Sequence, residues 1–283
     1  MAQFTNQATL SYHNAVINSN IAVGEILETL SATKTAVRDV YSSGDTVTYV
    51  ISIVNSGTTA FSGLAVTDNL GAYPFGTETL TPLTYVDAPV RYSINGVLQT
   101  APAVTPGPPL VFTGISVPAG GNATIIYEAD VNSFAPAALG SEITNEAVIN
   151  GGGITPITVT ETVTALSEPL LTISKSVSPI PVTENGRLTY TFLIQNTGNV
   201  PVNATDDAVI TDIFDPILSD LNVSFNGVTW TEGPDYVYDP ATGTFTTVAG
   251  KITVPAATYI QNPATGEWVV NPGVSTLVIS GIV

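Results

Sequence analysis

Short runs in which apolar and polar residues alternate fill this chain almost from end to end. Thr48-Tyr49-Val50-Ile51-Ser52-Ile53-Val54 and Thr189-Tyr190-Thr191-Phe192-Leu193-Ile194 are the clearest of them. A period of two places successive side chains on opposite faces of a strand, so each such run predicts a half-buried strand. Gly, Pro, Asn and Asp interrupt the runs at intervals of about 8–12 residues, the spacing of a sandwich built from antiparallel strands. With 20 Pro and 24 Gly spread along 283 residues, no long helix is expected.

The runs repeat. Ala32-Thr33-Lys34-Thr35-Ala36-Val37 matches Ile173-Ser174-Lys175-Ser176-Val177, and the offset of 141 persists at Tyr49/Tyr190 and Asn55/Asn196. Ala65-Val66-Thr67-Asp68 matches Val209-Ile210-Thr211-Asp212, and Ile94-Asn95-Gly96-Val97 matches Phe225-Asn226-Gly227-Val228. The Asn-Gly pair predicts a tight hairpin turn in each copy. Residues 118–131 correspond to 271–283. The expected fold class is therefore all-β: two tandem Ig-like β-sandwiches, the first over 31–150 and the second over 171–283, joined by a linker over 151–170.

The copies are cut out of register with the chain. Repeat 1 continues into a strand Ile143-Thr144-Asn145-Glu146-Ala147-Val148-Ile149, whereas repeat 2 stops at Val283 before its copy. A matching strand stands at the other end: Phe4-Thr5-Asn6-Gln7-Ala8-Thr9-Leu10 keeps Thr-Asn-x-Ala. Asn6 precedes Lys34 by 28 residues and Asn145 precedes Lys175 by 30. Residues 1–12 are read as a donor strand whose inward row is Phe4, Asn6, Ala8 and Leu10, followed by a linker over 13–30. A sandwich lacking a strand leaves an open edge and a groove. Strand addition by the next copy fills it, and a contact between opposite ends of identical chains propagates into an open filament. A piece of a longer tandem-repeat stalk is the competing reading of the ends.

Thr-x-x-Lys, Gly-Asp-x-Val-Thr-Tyr, x-Asn-x-Gly, Val-Thr-Asp-x-Leu and Thr-Asn-x-Ala-x-Val together resemble the Ig-like repeat of bacterial surface proteins known as domain of unknown function eleven. The chain is similar to short two-repeat members of that family from anaerobic Firmicutes. Repeat 2 departs from the pattern in Gly186-Arg187-Leu188-Thr189-Tyr190, which is one residue shorter than Gly44-Asp45-Thr46-Val47-Thr48-Tyr49 and carries Arg187 after the Gly where repeat 1 has Asp45. The resemblance implies surface architecture or adhesion and no catalytic turnover.

Composition narrows the function classes. Six basic against 23 acidic residues give a net charge of −17, which disfavours nucleic acid and anionic membrane surfaces as partners. No apolar run is long enough to span a membrane. Cysteine is absent, so disulfides and thiolate metal sites play no part. Met1 to Asn6 has neither the basic region nor the apolar core of a Sec-type signal peptide. The expected location is extracellular, on a cell or spore, and the expected partner is the chain itself, a host or matrix ligand being the alternative.

Of only three Lys, two hold the same repeat position. Lys34 and Lys175 on a first strand, Asp68 and Asp212 in the middle, and Asn145 and Asn6 on a last strand form the set needed for a spontaneous Lys–Asn isopeptide bond, similar in order to Gram-positive pilin and adhesin domains. A buried amine loses its proton more readily and becomes nucleophilic. A protonated Asp polarises the Asn carbonyl and passes a proton to departing ammonia. On this reading Lys34 joins Asn145 with Asp68 assisting, and Lys175 joins Asn6 of the next subunit with Asp212 assisting. A hydrogen-bonded Lys–Asp pair is the plainer alternative. The acidic cluster Asp206, Asp207, Asp212 and Asp215 lacks a dedicated calcium-loop spacing and reads as a solvated loop; no metal or cofactor is expected. His13 reads as a linker residue, and Trp230, Trp268, Tyr236, Tyr238 and Tyr259 as packing rather than a sugar-binding face. The insert from Val254 to Asn271 is a loop or an extra hairpin.

Overall fold

The computed structural model describes residues 2–12, 15–26 and 29–283, which leaves His13 outside the described residues. Among the described residues, strands account for all the regular structure except one short 3-10 turn at Ala204–Asp206. The chain is an all-β protein of two compact units. One comprises residues 1–39, 44–131 and 144–163, and the other residues 40–43, 132–143 and 164–283.

The first unit packs two sheets face to face. In one, the strands run in the order Val97–Gln99, Arg91–Ile94, Asn122–Val131, Thr46–Asn55, Leu30–Ala36. In the other, Ala103–Thr105, Leu110–Val117, Phe61–Asp68, Glu142–Gly151 and Ile157–Ala165 follow one another. The alternation predicted from sequence appears as alternating burial along Thr46–Asn55, where Val47, Tyr49, Ile51 and Ile53 face the core. Both Asn-Gly turns are present. Asn95 and Gly96, like Asn226 and Gly227, take the positive φ that a two-residue hairpin of this twist requires.

The second unit reproduces the first of these sheets in the same order: Val228–Trp230, Ser219–Phe225, Gly273–Ile282, Arg187–Asn196, Leu171–Ser178. Its opposite sheet is shorter, with Tyr236–Asp239, Thr244–Thr247 and Thr211–Ile213. Among the described residues, no strand of this chain pairs with the outer edge of Thr211–Ile213, the edge that Glu142–Gly151 covers in the first unit. The insert forms an extra hairpin of Thr258–Gln261 and Trp268–Asn271.

Two segments expected to be linkers are strands. Residues 151–170 contain Ile157–Ala165, which extends the second sheet beyond Glu142–Gly151. Residues 13–30 contain Ala15–Asn18 and Ala22–Ile26, which pair antiparallel with Thr9–Tyr12 and Ala2–Asn6. The N-terminal segment is thus a two-stranded ribbon. Phe4 is exposed by 53% and Leu10 by 62%.

Candidate functional site

Lys34 lies on Leu30–Ala36 and Asp68 ends Phe61–Asp68, so facing sheets bring the two side chains together in the core of the first unit. Lys34 Nζ donates to Asp68 Oδ2 over 2.7 Å, and neither side chain is exposed to solvent. The other carboxylate oxygen accepts the Leu70 backbone N–H at 2.9 Å. The Lys34 ammonium stands 5.0 Å from the centre of the Tyr49 ring. Burial lowers the Lys34 pKa to about 8 against the opposing pull of Asp68.

Asn145, fully buried on Glu142–Gly151, joins this group through a residue absent from the sequence-level set. Tyr127 donates its hydroxyl hydrogen to Asp68 Oδ2 over 2.5 Å, and Asn145 Nδ2 donates to the Tyr127 oxygen over 3.2 Å. Burial and the adjacent Asp68 push the Tyr127 phenol well above its ordinary pKa, so it keeps its proton. The Gly71 backbone N–H donates to Asn145 Oδ1 over 3.2 Å, which places a positive dipole on the amide oxygen. The next turn of chain clasps the same strand: Asn69 Oδ1 accepts the Glu146 N–H at 3.0 Å. Lys34, Asp68, Tyr127 and Asn145 therefore form one buried network in which the amide oxygen is polarised and the amide nitrogen has a phenol beside it.

In the second unit, the Lys175 ammonium likewise donates to Asp212 Oδ2. It lies 4.2 Å from the centre of the Tyr190 ring, with Phe192 and Phe214 close by. Here the side chains are 37% and 19% exposed. The difference follows from the uncovered edge, because nothing in the described chain occupies the place Asn145 fills in the first unit. The strand registers also set Tyr127 apart from the repeat pattern. Tyr49 pairs with Tyr127, but its counterpart Tyr190 pairs with Ile279, so comparing the repeats conceals the tyrosine instead of exposing it.

Asn6 lies on Ala2–Asn6, and Asn6 and Ala8 are exposed along with Phe4 and Leu10; the inward row of the expected donor strand has no cover among the described residues. The acidic cluster does not converge. Asp206 accepts the Asn203 N–H at 2.7 Å, Asp212 pairs with Lys175, and no metal-holding group occurs among the described residues. The aromatic residues pack: Trp230 stacks on Phe225, Tyr236 on Phe245, and the Tyr259 hydroxyl donates to the Thr197 carbonyl. The Asn-x-Gly motif is structural. Asn55 and Asn196 each donate to two backbone carbonyls and accept the N–H of Gly57 or Gly198, which satisfies a buried amide.

No family model matches the chain, and no curated protein matches it. Among solved structures, it is similar to the major pilin subunit BcpA of Bacillus cereus, at 12% identity, over 96% of this chain and 73% of that one, with a TM-score of 0.36. It is similar to the C-terminal domain of the antigen I/II-family protein AspA of Streptococcus pyogenes, at 12% identity over 90% and 92% of the two chains, with the same TM-score of 0.36. The pilus backbone RrgB of Streptococcus pneumoniae is matched at 13% identity over 87% and 55%, again at 0.36. At such scores the likeness assigns no function.

Proposed function

We propose that the chain is a structural subunit of an extracellular, cell-surface or spore-surface fibre, polymerising head to tail as the N-terminal strand of one copy enters the second unit of the next. One observation carries this reading. The edge of Thr211–Ile213 is uncovered, the corresponding edge of the first unit is filled by Glu142–Gly151, and a strand with that same Thr-Asn-x-Ala pattern stands exposed at the N-terminus. Strand addition satisfies the backbone groups of both partners and buries Phe4, Ala8 and Leu10. A peptide of residues 1–12 added to growing polymer should cap it; growth that continues unchanged at saturating peptide contradicts the reading.

The Lys–Asp–Asn sets support a covalent lock. In the first unit, Lys34 passes a proton to Asp68, and the neutral amine attacks Asn145 Cγ. The new C–N bond replaces the bond from Cγ to Nδ2, which leaves as ammonia carrying the proton that Asp68 and Tyr127 relay. Lys175 and Asn6 of the neighbouring copy form the same bond between subunits, with Asp212 as the proton carrier. Each bond lowers the mass by about 17 Da, one ammonia. The reactive state needs one proton shared between Lys34 and Asp68, and the lysine holds that proton up to about pH 8. Chain recovered unfolded and then refolded should form the first bond at a rate that is level below about pH 8. Above it the rate should fall about tenfold per pH unit. A rate that climbs through pH 8 would show that an unprotonated Asp68 suffices.

A second reading, a ligand-binding adhesin module, draws on the Thr258–Gln261 and Trp268–Asn271 hairpin, which the first unit lacks. A glycan and matrix-protein screen on polymerisation-dead chain separates the two.

A further inference from the structure

We infer that the element donated between subunits is the whole N-terminal ribbon, Ala2–Tyr12 together with Ala15–Ile26, entering as a preformed pair of strands. This rests on the head-to-tail reading above and goes beyond it by assigning the second strand a place. In the first unit two strands, not one, lie beyond Phe61–Asp68: Glu142–Gly151, and then Ile157–Ala165. The outer one is needed for cover. Val163 is buried, and Glu161 Oε1 accepts the Ala36 N–H at 3.2 Å, tying this strand to the strand that carries Lys34.

The N-terminal ribbon has the same register. Thr144 and Thr162 are in side-chain contact at 3.0 Å across 18 residues, and Thr5 stands opposite Val23, again 18 residues apart. One step along, the two ribbons differ in a compensating way. Residues 143 and 163 are Ile and Val, both buried, whereas Phe4 faces Gly24. The Phe4 ring occupies the space a side chain at 24 would need: a Cβ there would lie 2.4 Å from Phe4 Cζ. A large–small pair thus replaces a medium–medium pair, as expected of two strands that fit one groove together.

The receiving unit lacks cover for two strands as well. Lys34 is buried and Ala32 partly so, whereas their counterparts Lys175 and Ile173 are exposed. A single inserted strand would leave Ile17, which stands opposite Leu10 on the inward face of the ribbon, in solvent at 51% exposure. A second copy is therefore the occupant of the groove, through both arms of its ribbon.

Locking the ribbon tests this. Thr5→Cys with Val23→Cys in the full chain, which has no other cysteine, closes a disulfide across the ribbon that intact mass verifies. The oxidised variant should polymerise within about twofold of the wild-type rate, since preformed strands need not separate. Chain lacking residues 1–12 should not polymerise. Assembly blocked by the lock and restored by thiol reductant means that one strand enters alone, which overturns the ribbon and leaves the head-to-tail reading standing. Polymer from the truncated chain overturns both. Independently, backbone amides of residues 22–26 should exchange at least about tenfold more slowly in polymer than in monomer; unchanged exchange contradicts the ribbon.

Discussion

Replacing Asp68 with Ala should destabilise the first unit by about 3–5 kcal/mol, because Lys34 is then left in the core without its counter-charge. For a domain of this size that is a fall in Tm of about 10–16 °C. The same variant should keep its ammonia and run about 17 Da heavier than a linked chain after allowance for the substitution. Removing both charges together, Lys34→Met with Asp68→Leu, should cost less than Asp68→Ala alone while equally failing to lose ammonia, since a buried ion pair is replaceable by packed apolar groups. Denaturant unfolding and intact mass read the two effects separately. If Asp68→Ala unfolds at the wild-type midpoint and still loses ammonia, the network assigned to Lys34, Asp68, Tyr127 and Asn145 is wrong.

The second large effect belongs to the proposed joint between subunits. Lys175→Ala should leave folding nearly untouched, within about 1 kcal/mol, since the Lys175–Asp212 pair is partly exposed and screened by water. Filaments should still form, because strand addition rests on backbone hydrogen bonds and apolar burial. What changes is their resistance. Wild-type polymer boiled in detergent should run as a ladder of linked subunits, and Lys175→Ala polymer should run entirely as monomer. The near-neutral effect on the isolated chain and the complete loss of covalent ladder together distinguish a joint residue from a core residue. A persistent ladder in Lys175→Ala would place the bond elsewhere.

The sequence and the structure agree where local chemistry dominates. Alternation along Thr46–Asn55 and Arg187–Asn196 announces strands, because one face of each meets a core. Asn95-Gly96 and Asn226-Gly227 announce turns, because few other pairs tolerate positive φ at both positions. Lys34 with Asp68 and Lys175 with Asp212 were legible because lysine is rare here and recurs at one repeat position. Tyr127 was not legible: its partner strand places it beside Tyr49, a relation that only the register of the sheet reveals, and repeat 2 has Ile279 there. The strand Ile157–Ala165 was hidden behind Gly151-Gly152-Gly153 and Pro156, which look like a linker when their role as a hairpin connection is unseen. Ala15–Asn18 and Ala22–Ile26 were hidden for a different reason. Asn and Ser punctuate them, and Val16, Ile17 and Val23 are exposed, so the alternation that marks a packed strand is weak.

On the proposed head-to-tail assembly, the degree of exposure at the two Lys–Asp pairs links fold to function. The first is closed by the chain's own Glu142–Gly151, and the second has the same chemistry with its edge uncovered. Electron microscopy of the purified chain beside the same chain lacking residues 1–12, at equal concentration, tests this account most directly. Filaments from the full chain and only monomers from the truncated one are the expected result; filaments of equal length and number from both would contradict it.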